Sequence, residues 1–447
     1  MKGMYDLVVY YIIQEKRMET LRKNPQKLFL CFFLAFSAIC IVTGIVVGGA
    51  GAFSGLVTVM TSTEKLTTDV LADAMGGLGG GLLSVGIVGL ISWAVLKFSK
   101  AKVGGASFGA FFLMVGFAFF GKNPLNILPI IAGTFLYSKV KKSSFGAYAN
   151  MSLFACALAP AVSEFIFGAC NPWGAGAGIV IGIVAGLLIG FIFAPVASHT
   201  ATMHKGFDLF NAGLAAGLIG IIVFMVYKQL ILVPAGTAAD YAANSVAGES
   251  RQLFFVAFIG AISVLSIVFG TILNGGFKGY GALLKRTGHK TDFSALDNAP
   301  LCLINFGVLG IFGLAYLTIV KAPFTGPVMG ALLCLMCWAA NGSHILNVWP
   351  IFAGYALAAL LQGNIGWLAG QGIAVGVMFA SGLSPVAGKY KFWWGIIAGM
   401  LHACLVSYTA AFHGWMNCYN GGFTAGLVAM VLIVILEALT PEKQEAK

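Results

Sequence analysis

The sequence predicts an all-α membrane protein with about 14 transmembrane or re-entrant helices in two inverted seven-segment repeats. Three observations carry that expectation: an apolar composition, a long motif written twice, and basic residues concentrated in alternate loops. Across 447 residues the mean hydropathy is +0.93 and only 9% of residues are charged, far outside soluble globular usage. The motif is His204-Lys-Gly-Phe-Asp-Leu-Phe-Asn-Ala-Gly-Leu-Ala-Ala-Gly-Leu218, and it returns as His413-Gly-Trp-Met-Asn-Cys-Tyr-Asn-Gly-Gly-Phe-Thr-Ala-Gly-Leu427.

Taken in order, residues 1–26 hold an apolar patch from Leu7 to Ile13, followed by Lys16, Arg17, Arg22 and Lys23. The charges follow the patch and no small-residue cleavage site is present, so the stretch reads as an interfacial cytoplasmic helix. A span criterion of about 20 apolar residues, relaxed where Gly or Pro intervenes, gives fourteen segments. The first seven run over 28–49, 79–98, 103–121, 125–140, 145–168, 174–197 and 208–227. The second seven run over 253–273, 300–320, 325–341, 345–361, 366–383, 393–411 and 420–438. The expected domains are therefore the interfacial helix at 1–26, a first repeat at 27–228 and an extracytoplasmic linker at 229–251. A second repeat at 252–438 and a cytoplasmic tail at 439–447 complete the chain.

The duplication extends beyond the opening motif, with its pieces in the same order in both halves. Gly86-Ile-Val-Gly89 answers Gly307-Val-Leu-Gly310, and Leu125-Asn-Ile-Leu-Pro-Ile-Ile-Ala-Gly133 answers Leu346-Asn-Val-Trp-Pro-Ile-Phe-Ala-Gly354. Pro160 answers Pro385, and Gly182-Ile-Val-Ala-Gly186 answers Gly395-Ile-Ile-Ala-Gly399. Two copies of a seven-segment unit in one chain enter the membrane with opposite polarity, because seven is odd.

Charge supplies the orientation. With a cytoplasmic N-terminus and every segment crossing, the inside loops carry Lys97, Lys100, Lys102, Lys139, Lys141, Lys142, Lys205, Lys278, Lys285, Arg286, Lys290, Lys389 and Lys391. The other face receives Glu64, Asp69 and Asp73 beside a single Lys65, and later Asp240 and Glu249, with Lys122, Lys228, Arg251 and Lys321 near span ends. This is the positive-inside pattern, and it predicts that both termini are cytoplasmic. The formal charge of +11 is spread over these loops, which excludes a nucleic-acid surface. Nine cysteines show no paired spacing, and Cys334 and Cys337 lie in an apolar run as small packing groups.

Polar residues at helix mouths are costly in lipid, so their repetition marks candidate site residues. Asn211 and Asn420, each beside a ring (Phe210 or Tyr419) and a glycine, suit recognition of a small polar solute. Asn126 and Asn347 each stand three residues before a proline, where a broken helix offers an amide and free backbone groups to a cavity. His204 and His413 are candidates for gating or proton relay, and each can equally be an interfacial anchor. Glu164 and Asp208 are candidate proton sites within the first half. Their aligned partners are not acidic, so a coupling cation would use one half only. No Walker loop, HExxH or Gly-x-Ser-x-Gly element occurs, and all four arginines sit in loops or at span ends. The sequence therefore predicts no enzyme chemistry, no cofactor and no metal site.

The doubled Leu-Asn-x-x-Pro-Ile-x-Ala-Gly elements and the Tyr-Asn-Gly-Gly ending resemble the bacterial membrane-protein family called domain of unknown function 1576. That resemblance covers nearly the whole chain and implies no substrate. The Asn123-Pro124 and Leu128-Pro129 pairs are similar to elements of urea transporters, although the second half has His344-Ile345 and Trp349-Pro350 instead. The functional expectation is a secondary transporter for a small polar solute, neutral or cationic, bound between inverted repeats. A channel-like facilitator and an intramembrane enzyme or assembly factor remain the alternatives. The expected partners are the solute, membrane lipid and a coupling cation, with homo-oligomerisation open. A cysteine introduced at Ala238 is expected to react with an impermeant maleimide from outside, and one at Lys285 only after permeabilisation. The reverse labelling would overturn the topology.

Overall fold

The computed structural model describes residues 19–63, 65–241 and 248–439. Residues 1–18 of the expected interfacial helix, 242–247 of the linker and 440–447 of the tail lie outside the described residues. Every regular element among the described residues is helical. The first half contains α1 (Pro25–Gly48), α2 (Gly51–Met60), α3 (Gly77–Phe98), α4 (Gly105–Phe117), α5 (Leu128–Val140), α6 (Ala149–Ala155), α7 (Ala159–Phe167), α8 (Ala175–Met203) and α9 (Asn211–Tyr227). The second contains α10 (Gln252–Asn274), α11 (Tyr280–Leu283), α12 (Phe293–Leu296), α13 (Ala299–Ile319), α14 (Gly326–Met336), α15 (Ile345–Leu361), α16 (Gln371–Ala380), α17 (Ser384–Tyr390), α18 (Phe392–Thr409) and α19 (Asn420–Leu439).

Among the described residues ten helices, some of them jointed, are long and apolar enough to cross a membrane. The expected spans at 103–121, 125–140, 325–341 and 345–361 instead carry shorter apolar helices, of which α4 and α5 have 13 residues each. Thirteen residues reach about 20 Å, short of the ~30 Å hydrocarbon layer. The physical reason lies in the connections. Asn123 and Asn126 bond reciprocally, Asn126 N–H to Asn123 Oδ1 and Asn123 N–H to Asn126 Oδ1, both at 2.9 Å. The Asn126 amide also donates to Gly121 O at 3.0 Å. These bonds end α4 early and start α5 afresh with Pro129 in its first turn. The second half repeats the device: Asn347 accepts from His344 N–H at 2.9 Å and donates to Gly342 O at 2.8 Å.

Internal packing is the same in the two halves. α1 lies on α3 as α10 lies on α13, and α5 lies on α8 as α15 lies on α18. Two pairs of equivalent helices join the halves, α4 with α14 and α9 with α19. Both pairs run antiparallel. Along α4, a side chain at Gly105 would strike Ala340 O, at Gly109 the Trp338 ring, and at Gly116 the Gly330 carbonyl, so one chain ascends as the other descends. In the second pair, Gly220 lies beside His413 and Asn417, while Lys205 pairs with Glu437. At the crossings a Cβ on Gly213 would come within 2.7 Å of the Gly422 backbone, and one on Gly330 within 2.2 Å of Gly116 O. No residue larger than glycine fits such an approach.

The loops segregate into two groups, as the charge pattern predicts. Gly146 abuts Ser99 and Lys100, Gly206 abuts Lys290, and Gly388 abuts Thr287, which gathers the lysine-rich loops on one face, here the basic face. The opposite face collects the loops containing residues 61–76, 227–241, 249–251 and 410–417. There Arg251 joins Asp73 and Glu249 at 2.7 and 2.6 Å, and Tyr241 donates to Gly414 O at 2.8 Å.

Two carboxylates, Asp69 buried and Asp292 half-buried, tie each half to the other, one on each face. Asp69, in the loop ahead of α3, accepts from Gly326 N–H at the start of α14 (3.1 Å), from Leu71 N–H (2.9 Å) and from Glu249 N–H (3.2 Å). Asp292, in the matching loop ahead of α13, accepts from Gly105 N–H at the start of α4 (3.2 Å) and from Ser294 N–H (2.9 Å). Each satisfies orphan donors of the first helical turn and meets the positive end of the helix dipole. Asp69→Asn and Asp292→Asn place an amide donor against those N–H groups, at a cost of about 1–3 kcal/mol each. Asp69→Asn is expected to raise maleimide labelling of the buried Cys418, resolved by peptide mapping, while Asp292→Asn leaves it unchanged. Equal labelling in both variants would show that the two faces are not latched separately.

Candidate functional site

The repeated motif folds into one bracket in both halves. His204 Nε2 meets Asn211 Oδ1 at 2.9 Å and His413 Nε2 meets Asn420 Oδ1 at 3.0 Å. Behind each ring, Nδ1 accepts a backbone N–H, from Asp208 at 3.1 Å and from Asn417 at 3.4 Å. A nitrogen that accepts cannot carry the proton, so Nε2–H is the donor to the Asn carbonyl in both copies. Both ring nitrogens are thereby engaged, and the histidines act as braces for the asparagines. The Asn amides in turn donate to helix carbonyls, Asn211 to Ala197 O at 2.9 Å and Asn420 to Val406 O at 3.1 Å. Asp208 and Asn417 complete the loops by accepting from Phe210 N–H and Tyr419 N–H at 2.8 and 2.9 Å.

Each asparagine lines a vestibule. On the opposite face a cavity of about 260 Å³ is bounded by Thr67, Phe379, Ala410, Trp415, Cys418 and Asn420. On the basic face a cavity of about 240 Å³ is bounded by Thr291, Phe154, Ala201, Gly206, Leu209 and Asn211, with His204, Asp208 and Lys290. The second is the counterpart of the first: each takes a loop preceding the second span of one half, a jointed helix, and the His–Asn loop. The two differ in their ionisable groups, because Asp208 and Lys290 line the basic-face vestibule, and the position of Asp208 is Asn417 in the other half. Asp208 is 3% exposed, and its Oδ2 has no hydrogen-bond partner among the described residues.

Rings close the space between the vestibules. Phe154 lies 6.4 Å from Trp338, Trp338 lies 5.6 Å from Phe210, and Phe210 lies 5.2 Å from Phe379. Phe379 then stacks on Phe117 at 5.3 Å, and Phe117 on Tyr419 at 4.2 Å. The sequence singles out Phe210 and Tyr419 but not Phe117, Phe154, Trp338 or Phe379, which lie in long apolar runs where a barrier ring and a core ring look alike. Each such contact contributes about 0.5–1.5 kcal/mol beyond its area.

The remaining candidates lie elsewhere. Asn126 and Asn347 line neither vestibule, since their amides close the loops described above; Asn126 also donates to Ser163 Oγ at 3.0 Å. Glu164 is buried at the opposite-face end of α7, 3.4 Å from Lys65 Nζ and from the Tyr227 hydroxyl, while the Lys65 ammonium lies 4.0 Å from the centre of the Tyr241 ring. On the basic face His289 stacks on Phe207 at 4.0 Å and bonds Lys205 O at 2.9 Å. Burial, reinforced by Lys389 and Lys290, lowers its pKa from the ordinary histidine value.

One residue departs from the sequence expectation outright. Lys122, expected near a span end, is fully buried on the connection between α4 and α5. The cause is the early end of α4, which leaves residues 118–124 folded inside the helix bundle.

Long apolar helices, loops sorted to two faces by charge, and polar brackets buried between the halves define a multi-pass α-helical membrane protein. A family profile described as protein of unknown function (DUF1576) matches residues 49–229 and 272–438, one stretch in each half, and the chain belongs to that family. No curated protein and no solved structure matches the chain, and the similarity to urea transporters has no support.

Proposed function

We propose that the two halves are inverted-topology seven-segment repeats, and that the protein is a secondary transporter of a small polar solute in a bacterial plasma membrane, with both termini cytoplasmic. The observation that carries the reading is the pair of matching vestibules on opposite faces, each holding one asparagine of the repeated motif and separated by stacked rings. Antiparallel packing of α4 with α14 and of α9 with α19 supports the inversion, since an axis in the membrane plane reverses equivalent helices. In an alternating cycle one vestibule widens while the other stays shut. The solute passes between Asn420 and Asn211 as the rings part. Asp208 is the candidate for a coupling cation or proton, present in one vestibule only. A facilitator would need both vestibules connected at once, and the ring barrier favours the transporter over that alternative.

Reconstituted into proteoliposomes, the protein is expected to show saturable, cation-dependent uptake. Asn420→Ala and Asn211→Ala each remove a polar contact and should weaken solute affinity by about 5-fold to 150-fold, or roughly 1–3 kcal/mol. The first should act on entry from the side of the Asn420 vestibule and the second on the other side. His204→Ala and His413→Ala release the braces and should follow the sidedness of their partner asparagine. Sided flux measurements in the four variants check this. Equal effects from both sides, or loss of folding with unchanged affinity in the surviving protein, would overturn it.

A further inference from the structure

Lys122 has no place in the scheme so far, and its surroundings are unusual for an ammonium group. Its Nζ lies 3.3 Å from the Tyr419 hydroxyl, 3.4 Å from Leu113 O and 3.4 Å from Met114 Sδ. The Phe117 and Tyr419 ring centres are each 4.9 Å away. The titratable groups around it, from the elements packed against it, are the thiols of Cys156, Cys334 and Cys418 and the Tyr419 phenol. Ion pairs among the described residues do not include it. All its contacts are long and neutral, whereas a buried ammonium is stable when an anion meets it.

Its position connects it to the solute path. Phe117, whose ring faces Lys122, stacks on Phe379, and Phe379 lines the opposite-face vestibule. Tyr419 lies between Cys418 and Asn420, both lining the same vestibule. Lys122 thus stands directly behind the ring barrier. Among the described residues the lining of that vestibule contains no acidic or basic side chain, but offers donors from Thr67, Ser407, Trp415 and Asn420. The counterpart of Lys122 in the second half is Ser343, which bonds Ser384 at 3.1 Å, so the feature belongs to one side of the barrier only.

We infer that Lys122 is the charge-recognition residue of the solute site, and that the solute is a small organic monoanion carrying a carboxylate. The anion enters the Asn420 vestibule, displaces the Phe379–Phe117 stack and meets the ammonium, with the Tyr419 hydroxyl as a second donor. One cation and one monoanion sum to zero charge, which a low-dielectric barrier tolerates; a dianion would leave an uncompensated charge. All four arginines sit in loops or at span ends, so no guanidinium is available to an anion in the core, and the buried Lys122 supplies a cation there instead. The inference rests on the transport reading for the route, but the binding chemistry is tested without flux.

The probe is formate, the smallest carboxylate, against formamide as its uncharged analogue, titrated into the purified full-length protein at constant ionic strength. Formate should raise the thermal unfolding midpoint saturably and formamide should not. In Lys122→Met the apparent affinity for formate should fall about tenfold or more, since the charge-assisted contact is gone. Lys122→Ser, which installs the residue of the second half, guards against misfolding of the first variant, and Lys122→Arg should retain the effect. A formate response equal to that of formamide in the unmodified protein, or undiminished in folded Lys122→Met or Lys122→Ser, overturns the assignment. Lys122-dependent binding without sided flux would leave it standing and remove the transport reading. Flux of an uncharged solute indifferent to Lys122 would do the reverse.

Discussion

The whole arrangement depends on two glycine-to-glycine approaches across the interface between the halves. Lipid gives packed helices no hydrophobic drive to associate, so the halves adhere through close backbone contact and hydrogen bonds. At Gly213 and Gly422, and again at Gly116 and Gly330, the separation leaves no room for a Cβ. Fixing those two crossings sets α4 against α14 and α9 against α19. It also brings Asp69 to the start of α14, Asp292 to the start of α4, and the rings of both halves into one contiguous cluster.

Symmetry explains most of the molecule, and its departures mark where chemistry is expected. The brackets around His204 and His413, the loop closures by Asn126 and Asn347, and the two carboxylate latches are structural and occur twice. Three positions break the pairing: Asp208 against Asn417, Glu164 against the Lys389 region, and Lys122 against Ser343. Of these, Glu164 has a lysine beside it and Asp208 retains an unpaired oxygen. Lys122 has only neutral contacts.

The sequence made the helical class, the duplicated order and the sorting of loops to two faces legible, because hydropathy, repeated motifs and lysine placement are local signals. It also located the His–Asn motif, whose two copies adopt the same hydrogen bonds. It missed the latches although Thr68-Asp69-x-x-Ala72 answers Thr291-Asp292-x-x-Ala295, because a loop carboxylate ordinarily reads as solvated and these two act on the opposite half. It misplaced Lys122 because a lysine after an apolar run ordinarily marks an interface; only the Asn123–Asn126 closure, which stops α4 early, draws it inside. The histidines were legible as a site, but their role as braces depends on backbone N–H groups whose direction no motif encodes.

The central claim, that the two vestibules open in alternation, is tested most directly by double electron–electron resonance in a cysteine-free background in lipid nanodiscs. One spin-label pair at Thr61 and Phe412 spans the opposite-face vestibule, and a second at Lys205 and Thr287 spans the basic-face one. The account predicts two distance populations for each pair, with conditions that lengthen one pair shortening the other. A single unchanging distance at both faces, or simultaneous lengthening at both, would contradict it.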